Sequence, residues 1–366
     1  MDELNLLLLP NELLNIMLNI LPFKTICILS QISKNYYNVI KEQYIMKNYY
    51  DSVYNKNIIK KHVSSIERIE INGNSNDLDD GELEYITNNG KKIKELIIPN
   101  NNTITNNGLK CLKKINLNKI DLSNNRKITI ESLENLRDIK TISIFNYETY
   151  WEYEKCEYFK NIDNINKLKI KNIDQYIVKY LGYVKKLEVD KLLLKGEDYG
   201  YLKNINKLII KNYIHHGIND NGLKSLLCNK CRNNISQDHD DSICLQKLIT
   251  PDNIDNLLDN DLELLKHIKI LDIPGSNITV NGLMKLKKIE ELYLRESRCW
   301  SDIEIDYISR SIPNLKVLDI RNNKHITMNS LKNLKLNTLV LSSKFRIQIM
   351  DDECELRKNN KHVLFF

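Results

Sequence analysis

The chain has 366 residues, 42% of them hydrophobic, and 54 basic against 48 acidic side chains give a formal charge of +6. That length suits about two domains of ~100–200 residues, and so balanced a charge does not mark a nucleic-acid binder, which needs basic residues gathered on one face. No apolar run approaches the ~18 residues of a membrane span, and the acidic start Met1-Asp2-Glu3, with a Leu6–Leu9 run that stops at Pro10, lacks the positive opening of a secretory signal. A cytoplasmic or nuclear location is therefore expected, with the eight cysteines mostly reduced.

The first predicted element is helical. Pro10 suits a first helical turn, and Leu13, Ile16 and Met17 follow at helical spacing until Pro22 ends the helix. Ile26, Leu29 and Ile32-Ser33 open a second helix. The start Leu9-Pro10-Asn11-Glu12-Leu13, the break Leu21-Pro22 and the close Lys34-Asn35-Tyr36 resemble an F-box. The resemblance implies that Leu9, Pro10, Leu13, Ile16, Leu21 and Pro22, with Ile32 and Tyr36 on the second helical part, dock on a Skp-type adaptor and through it on a cullin. Tyr36 stands where many members carry Trp. Residues 1–48 are read as this F-box-like all-α module and 49–65 as a linker or N-terminal cap.

From Ile66 onward the chain repeats itself. An apolar residue, two others, an apolar residue, one other and an apolar residue recur from Ile66, Ile93, Leu117, Ile139, Ile165, Val184, Ile205, Leu245, Ile268, Ile289, Leu315 and Leu336. The apolar/polar alternation predicts a half-buried strand in each. The better repeats add a tail: Asn101, Ile104-Thr105, Gly108-Leu109 and Leu112; Asn125, Ile128-Thr129, Ser132-Leu133 and Leu136; Asn323, Ile326-Thr327, Ser330-Leu331 and Leu334. Thr105, Thr129 and Thr327 precede helix-spaced leucines and are expected as helix N-caps. Such a strand–turn–helix unit cannot bury its leucines alone and must stack on its neighbours.

The pattern resembles the leucine-rich-repeat family over Ile66 to Ser342, most nearly the cysteine-containing subclass often attached to F-boxes, although the subclass cysteine is Asn here. The resemblance implies an α/β solenoid: a curved parallel sheet with short helices on its convex side, about twelve repeats over 66–342 and a C-terminal cap over 343–366. An enlarged aromatic-packed helix is expected around Trp151, Tyr153, Tyr158 and Phe159, and insertions near Ser75–Gly81 and between Leu226 and Leu245.

Residues flanking the apolar strand positions should face the concave side. Lys167, Lys169, Lys171, Lys186, Lys207 and Lys211 make its centre basic, and Tyr293 and Arg295 mark a later aromatic, mixed-charge part. The lysine stripe is expected to meet an acidic segment of an unknown target protein. The absence of interleaved aromatics argues against nucleic acid. The plainer alternative for the stripe is a solvated strand face. In the second insertion, Cys228, Cys231, His239 and Cys244 form Cys-x2-Cys-x7-His-x4-Cys, a candidate zinc set, because thiolates and imidazole in a tetrahedral arrangement suit that metal; the wide gap before His239 departs from a zinc knuckle. No other cofactor is expected. No phosphate-cradling glycine loop, nucleophile elbow or His-Glu-x-x-His is present. The expectation is a non-enzymatic adaptor, the substrate-recognition subunit of a Skp–cullin–F-box ubiquitin ligase; the alternative is a stand-alone repeat protein that binds a partner with no such link.

Overall fold

The computed structural model describes residues 48–51, 54–73, 76–144, 153–162, 164–214, 222, 225–226, 244–251, 257–297, 299–345 and 353–366. The chain divides into two compact units, Met1–Trp151 and Glu152–Phe366.

In the first unit, strands β1 (Asn48–Asp51), β2 (Arg68–Ile71), β3 (Glu95–Ile97), β4 (Lys119–Asp121) and β5 (Thr141–Ile144) pair in chain order, every pair parallel. The register aligns Tyr49, Ile69, Leu96, Ile120 and Ile142 across the strands, all buried. In the second unit, β6 (Lys167–Asp174), β7 (Lys186–Leu193), β8 (Lys207–Ile214), β9 (Lys247–Ile249), β10 (Ile270–Asp272), β11 (Glu291–Tyr293), β12 (Val317–Asp319), β13 (Thr338–Leu341) and β14 (His362–Phe365) do the same. Their buried row runs Leu168, Leu187, Leu208, Leu248, Leu271, Leu292, Leu318, Leu339 and Val363. Each such row is one of several buried rows that a single repeat cannot cover and that stacking on the next repeat encloses.

Each of the twelve sequence repeats yields a strand that begins two residues after its start, β2 to β13. The segments between strands depend on repeat length. The repeats opening at Ile66 and Ile289, 27 and 26 residues long, hold the ten-residue α-helices Asp80–Asn89 and Asp302–Ser311. Both are N-capped: Asp79 accepts from the Glu82 N–H at 2.9 Å, and Ser301 forms a reciprocal capping box with Glu304. Of the first expected insertion, Ser75–Gly81, the last two residues, Asp80 and Gly81, belong to the first turn of a helix. The 19-residue repeat from Ile165 has only the 3-10 turn Val178–Tyr180. Gly108–Lys114, Ile130–Asn135, Gly196–Leu202 and Asp259–Leu265 are also 3-10. A 3-10 segment rises ~2.0 Å per residue against ~1.5 Å for an α-helix, so it crosses the sheet with fewer residues. Its period also fits Ile130, Leu133 and Leu136, three apart and all buried. Around Phe159 the segment Tyr153–Ile162 is a 3-10 helix of ten residues with Phe159 fully buried.

The asparagines do more than mark a bend. Asn101, Asn125 and Asn323 are fully buried. Asn101 Oδ1 accepts from the N–H groups of Thr103 and Ile104 at 2.9 and 2.8 Å while its Nδ2 donates to the Leu78 carbonyl at 2.9 Å. Asn125 accepts from the Asn101 N–H and donates to the Ile98 carbonyl at 3.1 Å, and Asn323 donates to the carbonyls of Leu294 and Ile320 at 2.9 and 2.8 Å. Each side chain therefore pairs backbone groups that the turn would leave unpaired in the interior. The residue before each, Asn100, Asn124 or Asn322, has φ of 60–62°, a left-handed conformation that Asn tolerates better than most residues. In the repeats of β10 and β11 the pair becomes Gly275-Ser276 and Glu296-Ser297, again with positive φ at the first member.

Thr129 and Thr327 are placed as expected, whereas the N-cap of Gly108–Lys114 is Asn107 and Thr105 lies two residues before it, and the hydroxyls of Thr129 and Thr327 are used differently from a cap. Thr327 and Thr129 occupy N-cap positions without a side-chain cap bond. Instead, Asp302 of the preceding repeat accepts from both the N–H and the hydroxyl of Thr327 at 2.7 Å. Asp80 holds Thr105 in the same way at 2.8 and 2.7 Å, and Asp259 holds Thr279. This bond between repeats satisfies the threonine's own N–H, not the later N–H that a cap side chain would take, and adds a tie across the stack.

Candidate functional site

The exposed face of the strands is where ordinary sheet chemistry and function can separate. Side chains one residue before each buried Leu or Ile form a row across the sheet, with strands ~4.8 Å apart. In the first unit the row is Arg68, Glu95, Lys119 and Thr141. It neutralises itself: Arg68 bonds Glu95 at 2.7 Å and also Glu70, and Lys119 lies 3.5 Å from Glu95.

The corresponding row in the second unit opens with Lys167, Lys186, Lys207 and Lys247, four lysines in direct register on β6, β7, β8 and β9, and continues through Ile270, Glu291, Val317, Thr338 and His362. Like charges directly opposed across strands are destabilising. Among the described residues, no ion pair joins Lys186, Lys207 or Lys247 to a carboxylate. Burial and the neighbouring ammonium groups of Lys247 and Lys167 hold the Lys207 pKa below its ordinary value.

The other predicted stripe residues belong to a different set. Glu188 pairs with Lys169 at 3.0 Å and with Lys211 at 2.8 Å. Burial alone would raise its carboxyl, but hydrogen bonds from Lys211 and Lys169 outweigh that and keep it below the ordinary range. Lys169 and Lys211 are therefore compensated internally. Lys171, half-buried on β6, also has interactions of its own. Beside the lysine row, two residues on along the same face, Ile209 and Ile249 are half-exposed neighbours of Lys207 and Lys247.

Tyr293 and Arg295 lie in a third cluster. The Tyr293 hydroxyl donates to Glu291 at 2.9 Å, and burial followed by that carboxylate raises its pKa. Arg295 bonds Asp272 at 2.9 Å, and Arg321 forks onto the buried Asp319 at 2.7–3.2 Å while stacking 5.0 Å above the Phe366 ring. Charge here is paired, so this cluster is a rigid polar surface, unlike the lysine row. Lys247 is the fourth lysine of that row, and its signal was available in the sequence: it sits two residues after a repeat start, as Lys167, Lys186 and Lys207 do.

Leu9, Pro10, Leu13, Ile16, Leu21, Pro22, Ile32 and Tyr36 lie outside the described residues. So do Cys228, Cys231 and His239; Cys244, the last of the expected zinc set, is described and buried. Among the described residues, no helix is long and apolar enough to cross a membrane.

Residues 6–48 match the F-box domain family model. No curated protein sequence matches the chain significantly. Among solved structures, the chain is similar to an internalin, InlF, from Listeria monocytogenes, at 16% identity over 77% of this chain and 75% of that one, with a TM-score of 0.51. It is also similar to TLR13 in a TLR13–ssRNA13 complex, at 15% identity over 85% of this chain and 51% of that one, with a TM-score of 0.52. Both are leucine-rich-repeat proteins, and at such identity they establish the fold alone. The repeats have the leucine-rich-repeat fold, and a region matching the F-box precedes them. An F-box ahead of a repeat array is the arrangement of a protein-interaction adaptor.

Proposed function

We propose that this chain is a non-catalytic substrate-recognition subunit of a Skp–cullin–F-box ubiquitin ligase, acting in the cytoplasm or nucleus. The observation that carries the reading is the match of residues 6–48 to the F-box domain directly ahead of the repeats. F-box domains bind Skp-type adaptors, and the apolar residues Leu9, Pro10, Leu13, Ile16, Leu21, Pro22, Ile32 and Tyr36 are assigned that contact, as a helical face in an apolar groove. The repeats then hold a target through their exposed strand face. Catalysis belongs to the partner enzymes. The adaptor contributes proximity, raising the effective concentration of target lysines near the ubiquitin donor. Zinc on Cys228, Cys231, His239 and Cys244 would order the polar insertion and is no part of this mechanism.

The test is co-expression of the full chain with a Skp-type adaptor. The wild type is expected to co-purify with it, and Leu9→Ala with Pro10→Ala to abolish co-purification, since a few central apolar contacts carry most of such an interface. Stability of the repeats, read by denaturant unfolding, should be unchanged. Absence of adaptor from the wild-type preparation contradicts the ligase reading and leaves a stand-alone repeat protein.

A further inference from the structure

We propose that the row Lys167, Lys186, Lys207 and Lys247, with Ile209 and Ile249 beside it, is the docking strip for an acidic amphipathic helix of a target protein that lies across the strands. This deepens the adaptor reading and rests on its second half, the repeats as a partner-binding array; it does not need the F-box.

Three observations support it. The first is charge at Lys186, Lys207 and Lys247 that no ion pair among the described residues compensates. The equivalent row of the first unit alternates sign, and on the same strands Lys169 and Lys211 have Glu188. The lysine row has no such partner at Lys186, Lys207 or Lys247 among the described residues. Four ammonium groups in register oppose folding, and an anionic partner relieves them.

The second is spacing. Four positions ~4.8 Å apart span roughly 14 Å. On an α-helix, residues i, i+3, i+7 and i+10 share one face and rise to about 4.5, 10.5 and 15 Å at ~1.5 Å per residue. Carboxylates there meet the lysines one for one. An extended peptide presents same-side residues only every ~6.6 Å, which falls out of step by the second lysine.

The third is the aliphatic margin. Ile209 and Ile249 offer half-exposed apolar surface alongside Lys207 and Lys247, which suits the apolar side of an amphipathic helix. Nucleic acid would need an aromatic platform for its bases, and the same-face neighbours Lys169, Glu188, Ile209 and Ile249 include no aromatic ring. The Lys207 pKa, lowered by burial and then by Lys247 and Lys167, is consistent with a surface that gains from an incoming anion.

The test uses the full chain and an 18-residue alanine-based helical peptide with Glu at four positions spaced 3, 4 and 3 apart and Leu beside them. Binding by fluorescence anisotropy at low ionic strength is expected, weakening as salt rises. Lys186→Glu with Lys207→Glu should cost at least tenfold in affinity, whereas Lys169→Gln, at a lysine already paired with Glu188, should change it less than threefold. A peptide with Gln in place of Glu, and one of equal charge interrupted by proline, should both bind at least tenfold more weakly.

The thermal midpoint of Lys207→Gln reports folding independently and should not fall. Co-purification of a Skp-type adaptor with the double variant keeps failure here distinct from failure of the ligase reading. No peptide binding, equal binding by the proline peptide, indifference to the double substitution, or tighter binding of a single-stranded oligonucleotide would each overturn the proposal.

Discussion

The exposed strand rows of the two units share a backbone and differ in electrostatics. In the first, Arg68, Glu95 and Lys119 alternate and bond to one another. In the second, Lys167, Lys186, Lys207 and Lys247 repeat one charge at one template position. Parallel strands stacked in register bring identical template positions side by side, so the array multiplies whatever a position holds. Alternating charge gives a self-satisfied surface, and constant charge gives a strip that favours a counter-ion from outside. What is common to both units lies beneath these rows: the aliphatic rows, and turns that pair buried backbone groups through Asn or Ser.

The shared layer should give the largest effects, in either unit. Leu208→Ala, at a fully buried position of the second row, is expected to cost about 3 kcal/mol in urea unfolding. Asn125→Ala, which strips the Asn101 N–H and the Ile98 carbonyl of their partner, should cost about 2–4 kcal/mol for the same reason that any buried orphan does. If either costs less than ~1 kcal/mol, the stack is not held as described.

Next comes the tie between repeats. Asp302→Ala loses three bonds to Thr327 and Ser330 and should cost about 1–2 kcal/mol. Burial would raise the Asp302 carboxyl, but bonds from Ser330 and Thr327 hold it below the ordinary value. Its contribution is thus complete above the unfolded pKa of ~3.9 and is lost as pH falls through the lower folded value. The gap in stability between wild type and Asp302→Ala should close in that acid window; a constant gap would show that the charge is not what matters.

The smallest effects carry the contrast itself. Neutralising Arg68→Gln removes favourable pairs and should destabilise by up to ~1 kcal/mol. Neutralising Lys207→Gln relieves like-charge opposition and should stabilise by roughly 0.5 kcal/mol. The sign of the second follows from its lowered pKa: the charged form is penalised in the folded chain, and that penalty lifts as pH rises from the folded pKa toward the unfolded ~10.4. The advantage of Lys207→Gln should accordingly be present at pH 7 and shrink by pH 10.5. Equal signs for the two substitutions would erase the distinction between the rows.

Most of this architecture is legible in the residues because Leu-x-x-Leu-x-Leu has the strand's own period of two, and all twelve starts yield strands two residues on. β1 and β14 lie outside that template, although Val363 and Phe365 give β14 a strand-favouring composition. The left-handed turns could have been read from the doublets Asn100-Asn101, Asn124-Asn125 and Asn322-Asn323. Glu296, with φ of 60°, could not, because a non-Gly, non-Asn residue there is set by the repeat around it. The Asp–Thr ties join residues 20 to 25 apart and depend on how unequal repeats are brought into line. The same holds for the lysines. Sequence shows a basic stripe, but only the cross-strand register shows that Glu188 serves Lys169 and Lys211 while, among the described residues, no ion pair joins Lys186, Lys207 or Lys247 to a carboxylate.

One paired experiment tests the account most directly. Wild type, Leu9→Ala/Pro10→Ala and Lys186→Glu/Lys207→Glu are each isolated from the native cell, and bound proteins are identified by mass spectrometry. The account predicts that the first variant loses the Skp-type adaptor and cullin but keeps the remaining partner, and that the second loses that partner but keeps adaptor and cullin. Identical partner sets for all three chains would contradict it.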